Sequence, residues 1–168
     1  MNAMSNSEQT LHTLAEQIGD ALKQKRWLLT TAESITGGSI SQCITDIAGS
    51  SEWFDCGLVT YSNASKTGFL DVPEALIAQF GAVSEEVAAA MATGALANSD
   101  ANVALSTTGI AGPTGAVPGK PVGTVCFGWT NGKKVITERL VFQGDRHAVR
   151  MQTIVHALQG LLKLLHQP

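Results

Sequence analysis

The length, composition and charge of this chain exclude several classes of protein. With 168 residues and a hydrophobic share of 44%, it can bury the core of one ordinary domain, which excludes wholesale disorder. Its net charge of −3 gives no electrostatic reason to expect nucleic acid as a partner. Neither a run of about 18 apolar residues nor a signal-peptide pattern is present, so we expect no membrane association and a cytoplasmic location.

The first predicted element is an amphipathic helix. Residues 1–3 resemble a cloning leader, and one domain is expected over residues 4–168. Ser5 and Glu8 have the spacing of a capping box, and the apolar residues that follow recur at helical intervals. We predict that this helix ends near Lys25.

A glycine turn follows the first predicted strand, at about residues 27–32. The turn carries Ser34 and the pair Gly37-Gly38, and a helix that ends near Ile47 comes after it. A strand-to-helix turn presents unpaired N–H groups and the positive end of a helix dipole, which suits an anion. Alternatively, the glycines only satisfy backbone geometry.

Further elements alternate between helix and strand. After a strand at 57–61, helices are predicted around Lys66, at 73–81 and from Ser84 to about Asn98. The next predicted elements are a strand at 102–107 and a glycine cluster at 108–115. The chain ends with hairpin strands at 124–130 and 133–142 and a helix capped by Asp145. The dipeptide Asn131-Gly132 is a strong signal for the hairpin turn. This order predicts an α/β fold, a three-layer α/β/α sandwich with a mixed, mainly parallel sheet of about five strands and an antiparallel hairpin.

Polar segments follow three of the predicted strands, and we expect them to meet at one rim of the sheet. Ser34 is the candidate nucleophile because it lies directly after a strand end. The four histidines lie outside the rim segments, so Lys66 is the better candidate base, with a solvated surface lysine as the alternative. The three cysteines show no metal-ligand spacing, and we expect neither a metal nor a cofactor.

Other rim residues leave two interpretations open. Gly37, Gly38 and Gly109 either donate N–H groups to an oxyanion or only allow a positive φ. Arg146 and Arg150 lie four residues apart and either bind a phosphate or are solvated.

Two more residues have similar alternatives. Glu33 either orients Lys66 or forms a salt bridge at the rim. Tyr61 either places its hydroxyl near the site or is a strand residue.

Several separate motifs resemble those of the CinA C-terminal domain family. They are Thr-Ala-Glu-Ser-Ile-Thr-Gly-Gly at 31–38, Val-Thr-Tyr-Ser-Asn at 59–63 with Lys66, Gly-Ala-Val-Ser at 81–84, Thr-Gly-Ile-Ala-Gly-Pro at 108–113, Lys-Pro-Val-Gly-Thr at 120–124 and Gly-Asp-Arg at 144–146. The resemblance is collinear from about residue 30 to 150. One departure is Ile35, where the family usually has cysteine; we expect activity to survive it.

The resemblance implies a function and a set of site residues. Members without a second domain hydrolyse the carboxamide of nicotinamide mononucleotide to nicotinic acid mononucleotide and ammonia, in pyridine nucleotide (NAD) salvage, and a homodimer is implied. The catalytic pair would be Ser34 and Lys66. The residues implied to line the substrate site are Thr36, Gly37, Gly38, Tyr61, Thr108, Gly109, Gly112 and Arg146.

Two other functions remain possible from the sequence. The first is a non-catalytic nucleotide-binding module with the same pocket, and the second is an amidase for a different pyridine or amide substrate. The larger family members carry an additional N-terminal domain for which this chain has no room, which favours the amidase without that domain.

Overall fold

A computed structural model describes residues 5–168, so the predicted leader at residues 1–3 lies outside the described residues. The helices are α1 (Asn6–Lys25), α2 (Ser39–Thr45), α3 (Asn63–Leu70), α4 (Glu74–Phe80), α5 (Glu85–Ala97) and α6 (Arg146–Leu165), with a 3₁₀ turn at Ser50–Glu52. The strands are β1 (Leu29–Glu33), β2 (Phe54–Val59), β3 (Val103–Gly109), β4 (Thr124–Thr130) and β5 (Val135–Val141). None of the helices within residues 5–168 has the length and apolarity needed to cross a bilayer.

The five strands form one mixed sheet in the order β2-β1-β3-β4-β5. Strand β1 pairs in parallel with β2 on one side and with β3 on the other. Strand β4 is antiparallel to both β3 and β5, so four strands run in one direction and β4 runs in the other. The predicted fold class and hairpin are therefore confirmed.

Helices cover both faces of the sheet, which completes the three layers. On one face, α1, α2 and α6 enclose a core that includes Leu105, Phe127 and Leu158, all fully buried. On the other face, α3, α4 and α5 enclose a smaller core with Leu70 and Met91. Burying each such side chain stabilises the folded state by roughly 1.5–3 kcal/mol. The two helix layers therefore hold the strand ends of the rim in place.

The sequence located the starts of α1, α3, α5 and α6 well because a capping side chain marks each of them. Ser5, Ser62, Ser84 and Asp145 each accept a hydrogen bond from a backbone N–H three residues on, and the capping box of α1 is complete.

Strand bounds were predicted less well. Strand β2 begins at Phe54, three residues before the predicted 57–61, because this edge strand alternates between half-buried and exposed residues and has no apolar run. It also ends at Val59, so that Thr60 and Tyr61 belong to the rim.

Candidate active site

The carboxyl ends of the three parallel strands converge on a cleft of about 250 Å³. Ser34 follows β1, Tyr61 and Lys66 follow β2, and Thr108 lies at the end of β3. All four residues line the cleft, so the expected meeting of the polar segments at one rim is confirmed.

The cleft is also lined by three of the six other residues that the resemblance implied. Gly109, Gly112 and Arg146 lie on its wall. Asn63 and Thr114 line it as well, although neither was predicted as a site residue. Both are polar residues in segments that follow predicted strands, and this position is the sequence feature that could have indicated them as site residues.

A hydrogen-bonded pair of Ser34 and Lys66 lies in the cleft. Lys66 Nζ donates to Ser34 Oγ at 3.0 Å, to the carbonyl oxygen of Thr60 at 3.0 Å and to that of Tyr61 at 3.2 Å. The Lys66 side chain is only 1% exposed, which excludes the alternative of a solvated surface lysine. No carboxylate among residues 5–168 forms a salt bridge with it.

Glu33 stabilises the turn that carries the serine. Its Oε1 accepts from Thr36 Oγ1 at 2.7 Å and from the N–H of Ile40 at 2.9 Å, and its Oε2 accepts from both the N–H and the hydroxyl of Ser41. Both interpretations from the sequence are therefore wrong: the fully buried carboxylate neither contacts Lys66 nor forms a salt bridge. It binds the first turn of α2, where unpaired N–H donors favour an anion.

Thr36, Gly37 and Gly38 do not line the cleft. Thr36 is fully buried, and its hydroxyl bonds Glu33 and Thr107. Gly37 has a φ of +58° and Gly38 a φ of +96°, a region that residues with a Cβ rarely adopt. The N–H of Gly37 already donates to Ser34 O at 3.1 Å, so the positive φ values, and not donation to an oxyanion, account for glycine at position 37.

Gly109 permits close packing at the wall of the cleft. An added Cβ there would lie 2.8 Å from Ile35 Cδ1 and 2.9 Å from the carbonyl oxygen of Thr124. Because its φ is not positive, backbone conformation does not require glycine at this position. The lack of space for a Cβ does. The neighbouring Thr108 hydroxyl donates to Ala82 O at 2.7 Å.

The two arginines of α6 have different positions. Arg146 is exposed at the mouth of the cleft, where its guanidinium donates to Gly112 O at 2.9 Å and to the Tyr61 hydroxyl at 3.4 Å. Arg150 does not line the cleft; it donates to the carbonyl oxygens of Ile35 and Thr36. Of the pair, only Arg146 can therefore reach a ligand in the cleft.

Comparison with known proteins identifies the family. The profile of the CinA C-terminal domain matches residues 11–165. The chain belongs to the CinA C-terminal domain family. A relative from Pseudomonas putida, named nicotinamide-nucleotide amidohydrolase PncC, is 54% identical over 152 residues, which cover 90% of this chain and 95% of the relative.

Two further relatives of this CinA C-terminal domain agree in sequence and in fold. The protein of the same name from Escherichia coli K12 is 52% identical and covers 94% of this chain and 95% of its own length. The crystal structure of the competence/damage inducible protein CihA from Agrobacterium tumefaciens is 37% identical, with a TM-score of 0.91 over 99% of this chain and 100% of that one.

Burial changes the proton affinity of the lysine in this CinA domain. Desolvation lowers the pKa of Lys66 from its ordinary value of 10.5 to about 8, because the charged ammonium loses its water. A substantial fraction of Lys66 is therefore neutral near pH 8, which a general base requires. No group of three His, Cys, Asp or Glu side chains within residues 5–168 is arranged to hold a metal ion.

The lowered pKa predicts a pH-dependent contribution of Lys66 to stability. Between pH 8 and about 10.4 the unfolded chain binds a proton that the folded chain does not, so the free energy of unfolding rises with pH in this window. The rise amounts to about 3 kcal/mol for the full shift. Urea unfolding of the wild type and of Lys66→Met from pH 7 to 10.5 measures it, because the other lysines are common to both. Parallel stability curves would contradict the burial of a titrating amine.

Proposed function

We propose that this chain is a nicotinamide-nucleotide amidohydrolase that converts nicotinamide mononucleotide to nicotinic acid mononucleotide and ammonia, in pyridine nucleotide salvage. The observation that carries the proposal is the 3.0 Å hydrogen bond between the buried Lys66 amine and Ser34 Oγ inside the cleft. Relatives that are 52–55% identical and are named for this activity support it. The homodimer that the family resemblance implies is part of the proposal.

In the first step, Lys66 activates Ser34. Two N–H bonds of Lys66 Nζ are directed by the carbonyl oxygens of Thr60 and Tyr61, so the lone pair of the neutral amine faces Ser34 Oγ. The amine takes the hydroxyl proton, and the alkoxide attacks the carboxamide carbon of the substrate. A C–O bond forms and the carbonyl oxygen becomes an oxyanion.

Backbone groups directly after the nucleophile are suited to that oxyanion. The N–H groups of Ile35 and Thr36 have no acceptor in the described part of the chain, whereas that of Gly37 donates to Ser34 O. We assign the oxyanion to the N–H of Ile35, because Ile35 lines the cleft and a donor held in place before the reaction stabilises charge that develops only in the transition state.

Collapse of the intermediate breaks the C–N bond. The Lys66 ammonium returns its proton to the leaving nitrogen, ammonia departs, and the acyl group remains on Ser34. Water then enters in place of ammonia, gives a proton to Lys66 and attacks the ester. The acid product leaves, and the proton returns to Ser34 Oγ.

Arg146 is suited to the 5′-phosphate of the nucleotide. Its exposed guanidinium lies at the mouth of the cleft, whereas Ser34 and Lys66 are buried at the base. Within residues 5–168 the groups that accept from it, Gly112 O and the Tyr61 hydroxyl, are neutral. A phosphate can take over these donors as a charged acceptor, which makes a stronger hydrogen bond.

We expect Arg146→Ala to remove the preference for the phosphorylated substrate. A charge-assisted contact is worth about 1.5–3 kcal/mol, so kcat/KM for nicotinamide mononucleotide should fall roughly ten- to a hundredfold. Ammonia release from nicotinamide riboside, which lacks the phosphate, is the internal control and should change by less than about threefold. Equal losses on both substrates would contradict a phosphate-binding role for Arg146.

A further inference from the structure

Arg150 connects the last helix to the turn that carries the nucleophile. From the second turn of α6, its Nε donates to Ile35 O at 3.1 Å and its Nη2 donates to Thr36 O at 3.2 Å. The side chain is half-buried, and the sequence separation of these bonds is 115 and 114 residues. Two successive carbonyl groups after Ser34 are thus bound by one planar cation.

These bonds fix the orientation of two peptide groups next to Ser34. A trans peptide is planar, and its N–H points opposite to its C=O. Since Ile35 O faces Arg150, the N–H of Thr36, which belongs to the same peptide, points away from Arg150. The same bond holds Ile35 itself in place, and the N–H of Ile35 is the proposed oxyanion donor.

The opposite charge acts on the same turn from within the protein. Glu33 accepts from the Thr36 hydroxyl and from N–H groups of α2. A guanidinium therefore binds two carbonyl groups of the turn, and a carboxylate binds the Thr36 hydroxyl and the start of α2. Neither group lines the cleft, so neither can contact a substrate there.

We propose that Arg150 is a positioning residue that holds the peptide groups after Ser34 in the orientation needed for amide hydrolysis. The inference rests on the proposed function, because it concerns the same serine. An interaction that aligns a nucleophile and an oxyanion donor acts mainly in the transition state. Loss of Arg150 should therefore lower kcat and leave KM nearly unchanged, whereas a phosphate-binding arginine would raise KM.

The test compares Arg150→Ala with Gln152→Ala, a control on the same helix. Gln152 also donates to backbone carbonyls, those of Gln143 and Ala148, but it does not contact the turn of Ser34. We expect Arg150→Ala to lower kcat for nicotinamide mononucleotide about ten- to a hundredfold with KM within about threefold. Gln152→Ala should retain the wild-type kcat.

One added ion and one further variant separate alignment from a loss of folding. Added guanidinium ion should restore part of the kcat of Arg150→Ala, which it would not do for a protein that is merely unfolded. Arg150→Lys keeps the charge but loses the fork that spans two carbonyls, and its kcat should lie between those of the wild type and Arg150→Ala.

A second readout does not depend on the nucleotide. The rate at which a fluorophosphonate probe labels Ser34, followed by peptide mass spectrometry, should fall in Arg150→Ala by a factor similar to that in kcat. If the wild type labels but does not hydrolyse the nucleotide, the proposed function fails while slower labelling of the variant still supports the inference. An unchanged kcat and labelling rate in Arg150→Ala, or a change in KM alone, would overturn it.

Discussion

Replacement of Ser34 by alanine is expected to abolish the hydrolysis of nicotinamide mononucleotide. Removal of a catalytic serine costs about 10⁴-fold or more in kcat, because no other group can form the acyl intermediate. The glycine turn and its bonds to Glu33 do not involve the Ser34 hydroxyl, so the variant should fold and bind the nucleotide. Ammonia release and calorimetric binding measure the two effects separately.

A second hydroxyl of the same turn provides the matched control. Ser39 begins α2 but does not line the cleft, so Ser39→Ala should keep nearly the full rate. Near-normal turnover by Ser34→Ala would show that the nucleophile is elsewhere. Thr108 would then be the first residue to test, since it also lines the cleft and carries a hydroxyl.

Replacement of Lys66 is expected to cost nearly as much as loss of the serine. Without the amine, no nearby group takes the proton of Ser34, so Lys66→Ala should lower kcat/KM by about 10³-fold or more. Lys66→Arg keeps a charge but cannot act as a base near neutral pH, and it should not restore activity. Because the two residues act as a unit, the double variant with Ser34→Ala should be little worse than either single one.

The pH dependence of kcat/KM tests the role of Lys66 without a mutation. Only the neutral amine accepts a proton, so the rate should rise with pH through an apparent pKa of about 8 and level off above it. Lys23→Ala is the control, since Lys23 forms an exposed ion pair with Asp20 on α1. Full activity of Lys66→Ala beside an inactive Ser34→Ala would show that a different base activates the serine.

The fold was predictable because its signals are local. Capping residues such as Ser62 and Ser84 mark helix starts, and Asn131-Gly132 marks the hairpin. The alternation of strands and helices then allows few topologies, and parallel pairing brings the strand ends together. The position of Ser34 and Lys66 at one rim follows from this reasoning alone.

The partners of buried polar groups were not predictable in the same way. Glu33 is next to Ser34 in sequence, yet its carboxylate binds the first turn of α2, which the sequence analysis did not consider. Arg150 bonds residues more than a hundred positions away, and no local pattern indicates such a contact. The same limit applies to Gly37 and Gly38, for which the sequence left two roles open and the φ values favour one.

The most direct test of the central claim is the stoichiometry of turnover by the purified wild-type protein. With nicotinamide mononucleotide as the substrate, ammonia and nicotinic acid mononucleotide should form in equal amounts, at a rate that is proportional to the protein and lost in Ser34→Ala. Tight binding of the nucleotide without release of ammonia would contradict this account and would identify a non-catalytic nucleotide-binding module.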